Sequence, residues 1–339
     1  MYVHLATGVG TRPFRRLGIS LGVVLFVIVI LPVFATSVWW LPGPMTSAHS
    51  IGTNALWLSH TWSGSAHTEA EYGRLAKLLQ RNQISDAYFH VGPIDRGGDV
   101  PTTRYAYAPE LLAALHRLAP GVHVQAYLGQ VLVRAGGPLD LQSNAVRDRI
   151  LAAARRLLDL GFDGIHYDIE PLTAADDDFL DLLTRTYALT AQRGAILSAS
   201  LPRLGPWNPG QATAHLPWPF ITGSYLRQVA TRVNKVAIMV YNLPLPTAPL
   251  VGWVYAWETS HVLDLIGDQV HVFIGVPTYE EGPHLTGESL RTVIRGTRRG
   301  VGQLHRQPKR QYGLAIFAEW TTSDREWTIW QQEWLAPHA

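Results

Sequence analysis

The sequence contains no cysteine, which excludes disulfide bonds, thiol nucleophiles and cysteine-ligated zinc. Charged residues make up only 16% of the 339 residues, and the net charge is +2 at pH 7. Because this excess is small and no run of lysine and arginine occurs, we expect no nucleic-acid partner. No glycine-rich phosphate-binding fingerprint follows the first predicted strand, which argues against an open nucleotide-binding sheet. We expect no cofactor.

The longest apolar stretch lies near the N-terminus. Leu17–Ala35 carry no charge and are enough residues to cross about 30 Å of hydrocarbon as a helix. Three arginines precede this stretch and no lysine or arginine follows it before Arg74, so the positive-inside rule places the short tail in the cytoplasm. We predict a cytoplasmic tail over 1–16, a transmembrane signal anchor over 17–38, a linker over 39–52 and a catalytic domain over 53–339 outside the cell. Cleavage as a signal peptide is the alternative, and it would give a secreted protein.

Beyond the linker, short apolar runs alternate with segments of helical periodicity. The eight runs are Ala55–Ser59, Ala87–Val91, Val122–Leu128, Gly164–Ile169, Ala195–Leu201, Lys235–Tyr241, His271–Val276 and Gly313–Phe317. Repeated alternation of this kind predicts a parallel sheet covered by helices. Eight units favour a closed (β/α)₈ TIM barrel of the α/β class. A last helix over Ser323–Trp334 carries three tryptophans on one face, which predicts a helix docked on the barrel.

The fourth run carries three ionisable residues at alternate positions. In a strand, residues two apart point to the same face, so His166, Asp168 and Glu170 are predicted to face the barrel interior. Pro171 ends the run and places Glu170 at the carboxyl edge, where barrel enzymes build their sites. Two neighbouring carboxylates cannot both ionise cheaply, so one pKa is raised. The spacing therefore predicts Glu170 as a general acid with Asp168 as its partner.

The segment Asp163–Glu170 reads DGIHYDIE and resembles the DGxDxDxE signature of glycoside hydrolase family 18, the chitinase family. Other segments are similar to later strands of that family in the same order. They are Ser198–Pro202 on strand five, Met239–Asn242 on strand six, Ile274–Tyr279 on strand seven and Trp320 after strand eight. The resemblance spans residues 54–320 and implies a barrel glycosidase.

The resemblance also implies a retaining mechanism in which the substrate supplies the nucleophile. Glu170 would protonate the glycosidic oxygen, and the 2-acetamido oxygen of the sugar would attack the anomeric carbon. Asp168 would stabilise the acetamido nitrogen, Tyr241 would hydrogen-bond the acetamido carbonyl, and Trp320 would stack under the sugar. The implied substrates are glycans that contain β-linked N-acetylglucosamine. The remaining substrate contacts that the resemblance suggests are Met239, Asn242 and Tyr279.

Two positions depart from the family pattern. His166 replaces the first inward aspartate of the signature, and an imidazole there is expected to contact substrate and to hydrogen-bond Asp168. If this imidazole were charged, it would lower the pKa of that carboxyl. Asn242 replaces an acid beside the reacting sugar. Both changes leave Glu170 in place, so we expect an active enzyme.

Further glycan contacts are expected from residues near other strand ends. Gln125 and Tyr127 lie on the third run, Trp62 follows the first, and Glu280 follows the seventh. Large aromatic faces suit sugar rings. Two other tryptophans, Trp253 and Trp257, are expected in loops or short connections, where they would be available for stacking.

Three alternatives stay open. Glu280 or Glu281 would be the nucleophile of a retaining glycosidase that uses two glutamates, with Glu170 as acid. A barrel that binds glycans without cleaving them is the second. A zinc site would need His60 and His90 beside the fourth strand, but neither has the spacing that places two ligands on one strand, so no metal is predicted.

Overall fold

The computed structural model describes residue 50 and residues 52–173, 176–205, 220–278 and 287–335. The predicted signal anchor over 17–38 lies outside these residues, as do Tyr279, Glu280 and Glu281. Within the described ranges, no helix combines the length and the apolar character that crossing a bilayer requires. The predicted boundaries at residues 16, 38 and 52 stay predictions.

Eight parallel strands close into a barrel in chain order, β1 to β8, with β1 paired to β8. The strands are β1 Asn54–Leu58, β2 Ile84–Pro93, β3 His123–Val131, β4 Gly164–Glu170, β5 Ile196–Pro202, β6 Lys235–Met239, β7 His271–Pro277 and β8 Tyr312–Phe317. All eight predicted runs are strands, with ends that shift by a few residues. The predicted (β/α)₈ barrel is confirmed.

Helices follow the strands and cover the outside of the barrel. Those in the described ranges are α1 Thr61–Gly64, α2 Glu69–Arg81, α3 Ala108–Leu118, α4 Asn144–Leu160, α5 Asp177–Ala191, α6 Gly223–Ala230, α7 Ala248–Ile266, α8 Leu290–Gly302 and α9 Asp324–Glu333. Side-chain caps start several of them. Thr68 and Glu71 form a reciprocal capping box at α2, and Ser323 and Glu326 form another at α9, as such sequence pairs favour.

Helix α7 corrects one expectation. The sequence predicts a short helix over 260–267, yet α7 begins at Ala248, with Pro249 in its first turn. Proline is well suited to that position because the first turn needs no N–H donor. The early turns of α7 are apolar on several sides, so they show little of the periodicity that reveals a helix. Trp253 and Trp257 therefore lie on a helix, and the expectation that they occupy loops is wrong.

The alternation along β4 positions the candidate site. Ile165, Tyr167 and Ile169 are buried in the layer between the barrel and its helices, and the Tyr167 hydroxyl bonds Thr186 of α5 at 2.9 Å. The intervening residues consequently point inward. Helix α9 closes against the opposite end, where Trp334 Nε1 donates to Asn54 Oδ1 at 2.7 Å. The predicted docking of that tryptophan face is confirmed.

Candidate active site

Three side chains of β4 rise in steps through the barrel interior. His166 is completely buried, Asp168 is buried, and Glu170 is exposed at the carboxyl end of the strand. Pro171 follows and ends the strand. The register between β3 and β4 is constant and places Tyr127 beside His166, Gly129 beside Asp168 and Val131 beside Glu170. The strand thus carries one carboxyl to the barrel mouth and one just below it.

The two carboxyl groups perturb each other. Glu170 is exposed as a residue, but the walls of the barrel mouth partly desolvate its carboxyl group, and this desolvation and the negative charge of Asp168 raise the pKa of Glu170 to about 7. Burial also raises the pKa of Asp168, against the effect of a hydrogen bond from Tyr127. Such a pair shares its protons, and the ionisations belong to the pair as a whole. A carboxylic acid that keeps its proton near neutral pH is what general acid catalysis needs.

Tyr127 of β3 is the closest polar partner of Asp168. Its hydroxyl donates to Asp168 Oδ2 at 2.7 Å, and burial beside this carboxylate raises the pKa of Tyr127 well above its usual value, so it remains a donor. The other carboxylate oxygen, Oδ1, makes no hydrogen bond with any described residue. A Cβ at Gly129 would lie 2.8 Å from the Tyr127 ring. The missing side chain at Gly129 is the sequence signal that leaves room for this contact.

His166 lies beneath the carboxyl pair and differs from its expected role. Its Nδ1 and Nε2 atoms hydrogen-bond Ser198 Oγ at 2.8 Å and Ser200 Oγ at 2.9 Å. Both ring nitrogens are therefore used by β5, and the expected direct bond to Asp168 is absent from the described contacts. Burial lowers the pKa of His166 to about 3, so the imidazole is neutral at physiological pH. It therefore carries no positive charge that would lower the pKa of Asp168. Completely buried, it offers no surface for a glycan.

Gln125 is also part of the interior. It is completely buried, donates through Nε2 to Asp86 Oδ1 at 2.7 Å, and accepts from Ser198 Oγ at 2.7 Å. The expected contact between Gln125 and substrate is therefore contradicted, because the strand places this amide below the mouth. Periodicity indicated the correct face of β3 and left the depth along the barrel undetermined.

The residues after β6 surround the mouth on its far side. Tyr241 is buried and stacks on Phe317 of β8, with ring centroids 5.3 Å apart. A Cβ at Gly275 would lie 2.9 Å from this tyrosine ring, so glycine on β7 gives Tyr241 its space. Met239 is half-buried, and Asn242 is exposed. The backbone of Asn242 has a φ of 62°, a left-handed conformation that asparagine tolerates better than most residues.

The aromatic residues at β8 include one that sequence reasoning missed. Phe317, the last residue of β8, is half-buried and contacts Trp57, Tyr241 and Trp320 edge-on or stacked. Trp320, predicted to lie under the sugar, is 50% exposed, and its ring centroid is 5.8 Å from that of Phe317. Phe317 is the deeper of the two and offers part of its ring to the mouth.

Trp62 lies on the short helix α1 and stacks on His67 with ring centroids 4.4 Å apart. His60 and His90 also meet near this end of the barrel, with ring centroids 6.2 Å apart. Burial, followed by the nearby basic side chains of His60 and Arg104, lowers the pKa of His90 to about 4. No group of three or more potential metal ligands is clustered in the described ranges.

A separate apolar groove borders the loop that follows Asn242. It is lined by Leu243 and Leu245 from that loop and by Trp253 and Trp257 from α7. Trp253 is 58% exposed. Two other expected contacts, Tyr279 and Glu280, lie outside the described residues. The structure therefore brings Glu170, Asp168, Tyr127, Tyr241 and Phe317 to one mouth, with Trp320 at its rim.

The described domain has the fold of the chitinase-like (β/α)₈ barrels. The spore cortex-lytic enzyme SleL of Bacillus megaterium has a TM-score of 0.57 to it at 11% identity, over 87% of this chain and 77% of that one. A chitinase from Chromobacterium violaceum reaches 0.55 at 15% identity, over 84% and 99%. The Ostrinia furnacalis Group IV chitinase reaches 0.55 at 10%, over 83% and 96%. No family model and no curated protein matches the sequence.

Proposed function

We propose that this protein is a glycoside hydrolase that cleaves β-linked glycans containing N-acetylglucosamine. The main support for this proposal is the pair of acids on β4: Glu170 is open to a ligand at the mouth, and its pKa is raised to about 7. Below that pH it is predominantly protonated, as an acid catalyst must be. The chitinase-like fold and the DGIHYDIE segment support the same reaction class.

The proposed mechanism uses the acetamido group of the sugar as nucleophile. Glu170 gives its proton to the glycosidic oxygen as the bond from that oxygen to the anomeric carbon breaks. The acetamido oxygen forms a bond to the same carbon, and the resulting oxazolinium ion is stabilised by Asp168. Water then attacks the anomeric carbon and opens the oxazolinium ring, and Glu170 takes the proton that the water loses. Two inversions give a product with retained configuration.

The surrounding residues suit these steps. Tyr127 holds Asp168 Oδ2 at 2.7 Å, which fixes the carboxylate and leaves Oδ1 for the acetamido N–H. Tyr241 stands across the mouth, where its hydroxyl would orient the acetamido carbonyl. Phe317 and Trp320 supply aromatic surface for the sugar ring.

The test is incubation of the full-length protein with defined N-acetylglucosamine oligomers, followed by analysis of product size and anomer. We expect shorter oligomers whose first-formed anomer is β, formed at least about a hundredfold more slowly by Glu170→Gln. Cleavage by Glu170→Gln at a rate close to that of the wild type, or an α product, would rule out the proposed roles. Binding without cleavage by the wild type, unchanged in Glu170→Gln, would instead support a non-catalytic glycan-binding barrel.

The second candidate is the two-glutamate mechanism, with Glu280 or Glu281 as nucleophile. Chitobiose thiazoline mimics the oxazolinium ion and should inhibit a substrate-assisted enzyme. We expect inhibition, and we expect Glu280→Gln and Glu281→Gln to keep most of the activity. Resistance to thiazoline together with inactivity of either variant would favour the second candidate.

We also propose that residues 17–38 anchor the enzyme in the membrane with the barrel outside the cell. The support is the uncharged stretch and the three arginines before it, which the positive-inside rule relates to topology. Protease added to intact cells should degrade the barrel while the protein still sediments with membranes. Protection of the barrel from protease would contradict the orientation, and a soluble, shortened protein in the medium would indicate cleavage.

A further inference from the structure

A hydrogen-bonded chain crosses the barrel interior from an ion pair to His166. At its start, Lys235 Nζ of β6 contacts both carboxylate oxygens of Asp86 at 2.7 and 2.9 Å. Asp86 is completely buried. A carboxylate that already receives an ammonium group only accepts hydrogen bonds. Every further partner of Asp86 must therefore donate.

This requirement fixes the orientation of Gln125 and then of Ser198. Gln125 lies 2.7 Å from Asp86 Oδ1 and must present its NH₂ group there. Its carbonyl oxygen consequently faces Ser198, 2.7 Å away. An amide oxygen cannot donate, so the single hydroxyl proton of Ser198 points to Gln125. Ser198 Oγ is then left with lone pairs for its next partner.

That next partner is His166. Its Nδ1 lies 2.8 Å from Ser198 Oγ, and because the Ser198 proton is already committed, Nδ1 must carry the hydrogen of this bond. A neutral imidazole has one N–H, so Nε2 is an acceptor. Ser200 Oγ lies 2.9 Å from Nε2 and must donate its proton to it. The direction of each bond thus follows from the charges of the Lys235–Asp86 pair.

Ser200 is the link to the acid pair. Paired strands place Ser198 beside His166, so Ser200, two residues on and also inward, stands beside Asp168, whose Oδ1 makes no hydrogen bond with a described residue. A proton donated by Ser200 would lower the pKa of Asp168. Because the single Ser200 proton is committed to His166, Ser200 presents lone pairs to this neighbour instead. A lone pair favours a protonated carboxyl over an ionised one.

We infer that His166 is locked as the neutral Nδ1–H tautomer, and that Lys235, Asp86, Gln125 and Ser198 act as positioning residues that favour a proton on Asp168 in the free protein. The tautomer follows from the hydrogen-bond geometry together with the complete burial of His166, which keeps the ring neutral. Its effect on Asp168 as a reacting group rests on the proposed function. The other titratable groups facing Asp168 are Glu170 on its own strand, Tyr127 from β3 and, beside Tyr127, Tyr241 from the segment that follows β6.

The tautomer is tested by NMR on full-length protein labelled with ¹⁵N at histidine, with the His166 signals identified by their loss in His166→Gln. At neutral pH we expect a pyrrole-type Nδ1 and a pyridine-type Nε2. The opposite pattern, or a protonated ring, would overturn the inference. This readout does not depend on any enzyme activity, so it remains decisive if no glycan is cleaved.

Ser198→Ala tests the coupling to Asp168. Without the Ser198 hydroxyl, His166 is free to place its hydrogen on Nε2, and Ser200 is then free to donate to Asp168. We expect the Nε2–H form to appear in the NMR spectrum, and the acidic limb of the kcat/KM profile to move to lower pH by about one unit, the size of one hydrogen bond to a charged group. The matched control is Ser260→Ala, which removes a buried hydroxyl on α7 that bonds Trp257.

An unchanged tautomer in Ser198→Ala would overturn the locking role of the chain. A changed tautomer with an unmoved acidic limb would overturn the effect on Asp168 while leaving the lock. Should Ser198→Ala fold poorly, Gln125→Met cuts the chain one bond earlier and makes the same two predictions. If the wild type hydrolyses no glycan, the proposed function is contradicted, and the NMR result still tests the tautomer.

Discussion

In the lower barrel, Asp86 accepts from Lys235, Gln125 and Ser85 at 2.7 to 2.9 Å. At the mouth, Asp168 accepts a hydrogen bond of 2.7 Å from Tyr127 and keeps one oxygen without a hydrogen bond to a described residue. Both carboxyl groups are buried. They differ in how completely the protein satisfies them.

This difference suits Asp86 to a structural role and Asp168 to a chemical one. A buried charge without enough partners costs free energy, so a fold selected for stability alone would complete the contacts of Asp168 as it completes those of Asp86. A buried acid with one oxygen left unpartnered, beside a second acid whose pKa is raised to about 7, is what a reacting site needs.

Glu170→Gln should have the largest effect. It keeps the shape of the side chain and removes the transferable proton, so kcat should fall by about 10²- to 10⁴-fold. Steady-state kinetics on an N-acetylglucosamine oligomer measure this. The control is Glu258→Gln, because burial also raises the pKa of Glu258 to about 8, yet this residue lies on α7. The contrast fails if both variants lose activity equally.

Lys235→Met should damage stability more than chemistry. It leaves Asp86 buried without its cation, and breaking a buried pair costs about 3 kcal/mol. Denaturant titration should show the free energy of unfolding lowered by that amount. Arg193→Met, which breaks the exposed pair with Asp159, should cost less than about 1 kcal/mol. Equal losses in the two variants would show that the lower ion pair is no more important than a surface pair.

Tyr127→Phe should change the pH dependence of hydrolysis. Its hydroxyl stabilises ionised Asp168, so removing it raises the pKa of that carboxyl, and the acidic limb of kcat/KM should move up by about one pH unit. The rate below this limb falls accordingly. The comparison is Tyr167→Phe, which loses a bond of similar length to Thr186 on the outer face. If the acidic limb moves equally in both variants, the shift is not caused by the lost hydrogen bond to Asp168.

Trp320→Ala should have the smallest effect. With half of its surface exposed at the rim, this tryptophan would contribute stacking, and its loss should raise KM several-fold, about 1 kcal/mol, with kcat nearly unchanged. Trp253→Ala removes a similarly exposed tryptophan beside the apolar groove and should leave KM unchanged. A larger rise of KM in Trp253→Ala than in Trp320→Ala would indicate that the glycan binds in the groove and not at the mouth.

Much of this architecture is predictable from the sequence, because periodicity reports which face a residue occupies. Alternation placed His166, Asp168 and Glu170 inward, and all eight strands are found where apolar runs occur. Hydrogen-bond partners across strands are a different matter. The bonds from His166 to β5 depend on register, which no single strand reveals.

Three other features were not predicted correctly from the sequence, each for its own physical reason. The early turns of α7 lack a polar face, so their helical period is hidden. Gln125 lies on the predicted face but too deep to meet a ligand. Phe317 carried no motif of its own, and its place at the mouth follows from its being the last residue of β8.

Initial rates on two oligomers of equal length, one of N-acetylglucosamine and one of glucosamine, show whether the acetamido group takes part in the reaction. If Glu170 is the acid and the acetamido group the nucleophile, the full-length protein should cleave the acetylated oligomer at least about a hundredfold faster, with retained configuration. Similar rates on both oligomers, or cleavage of the glucosamine oligomer alone, would contradict the account.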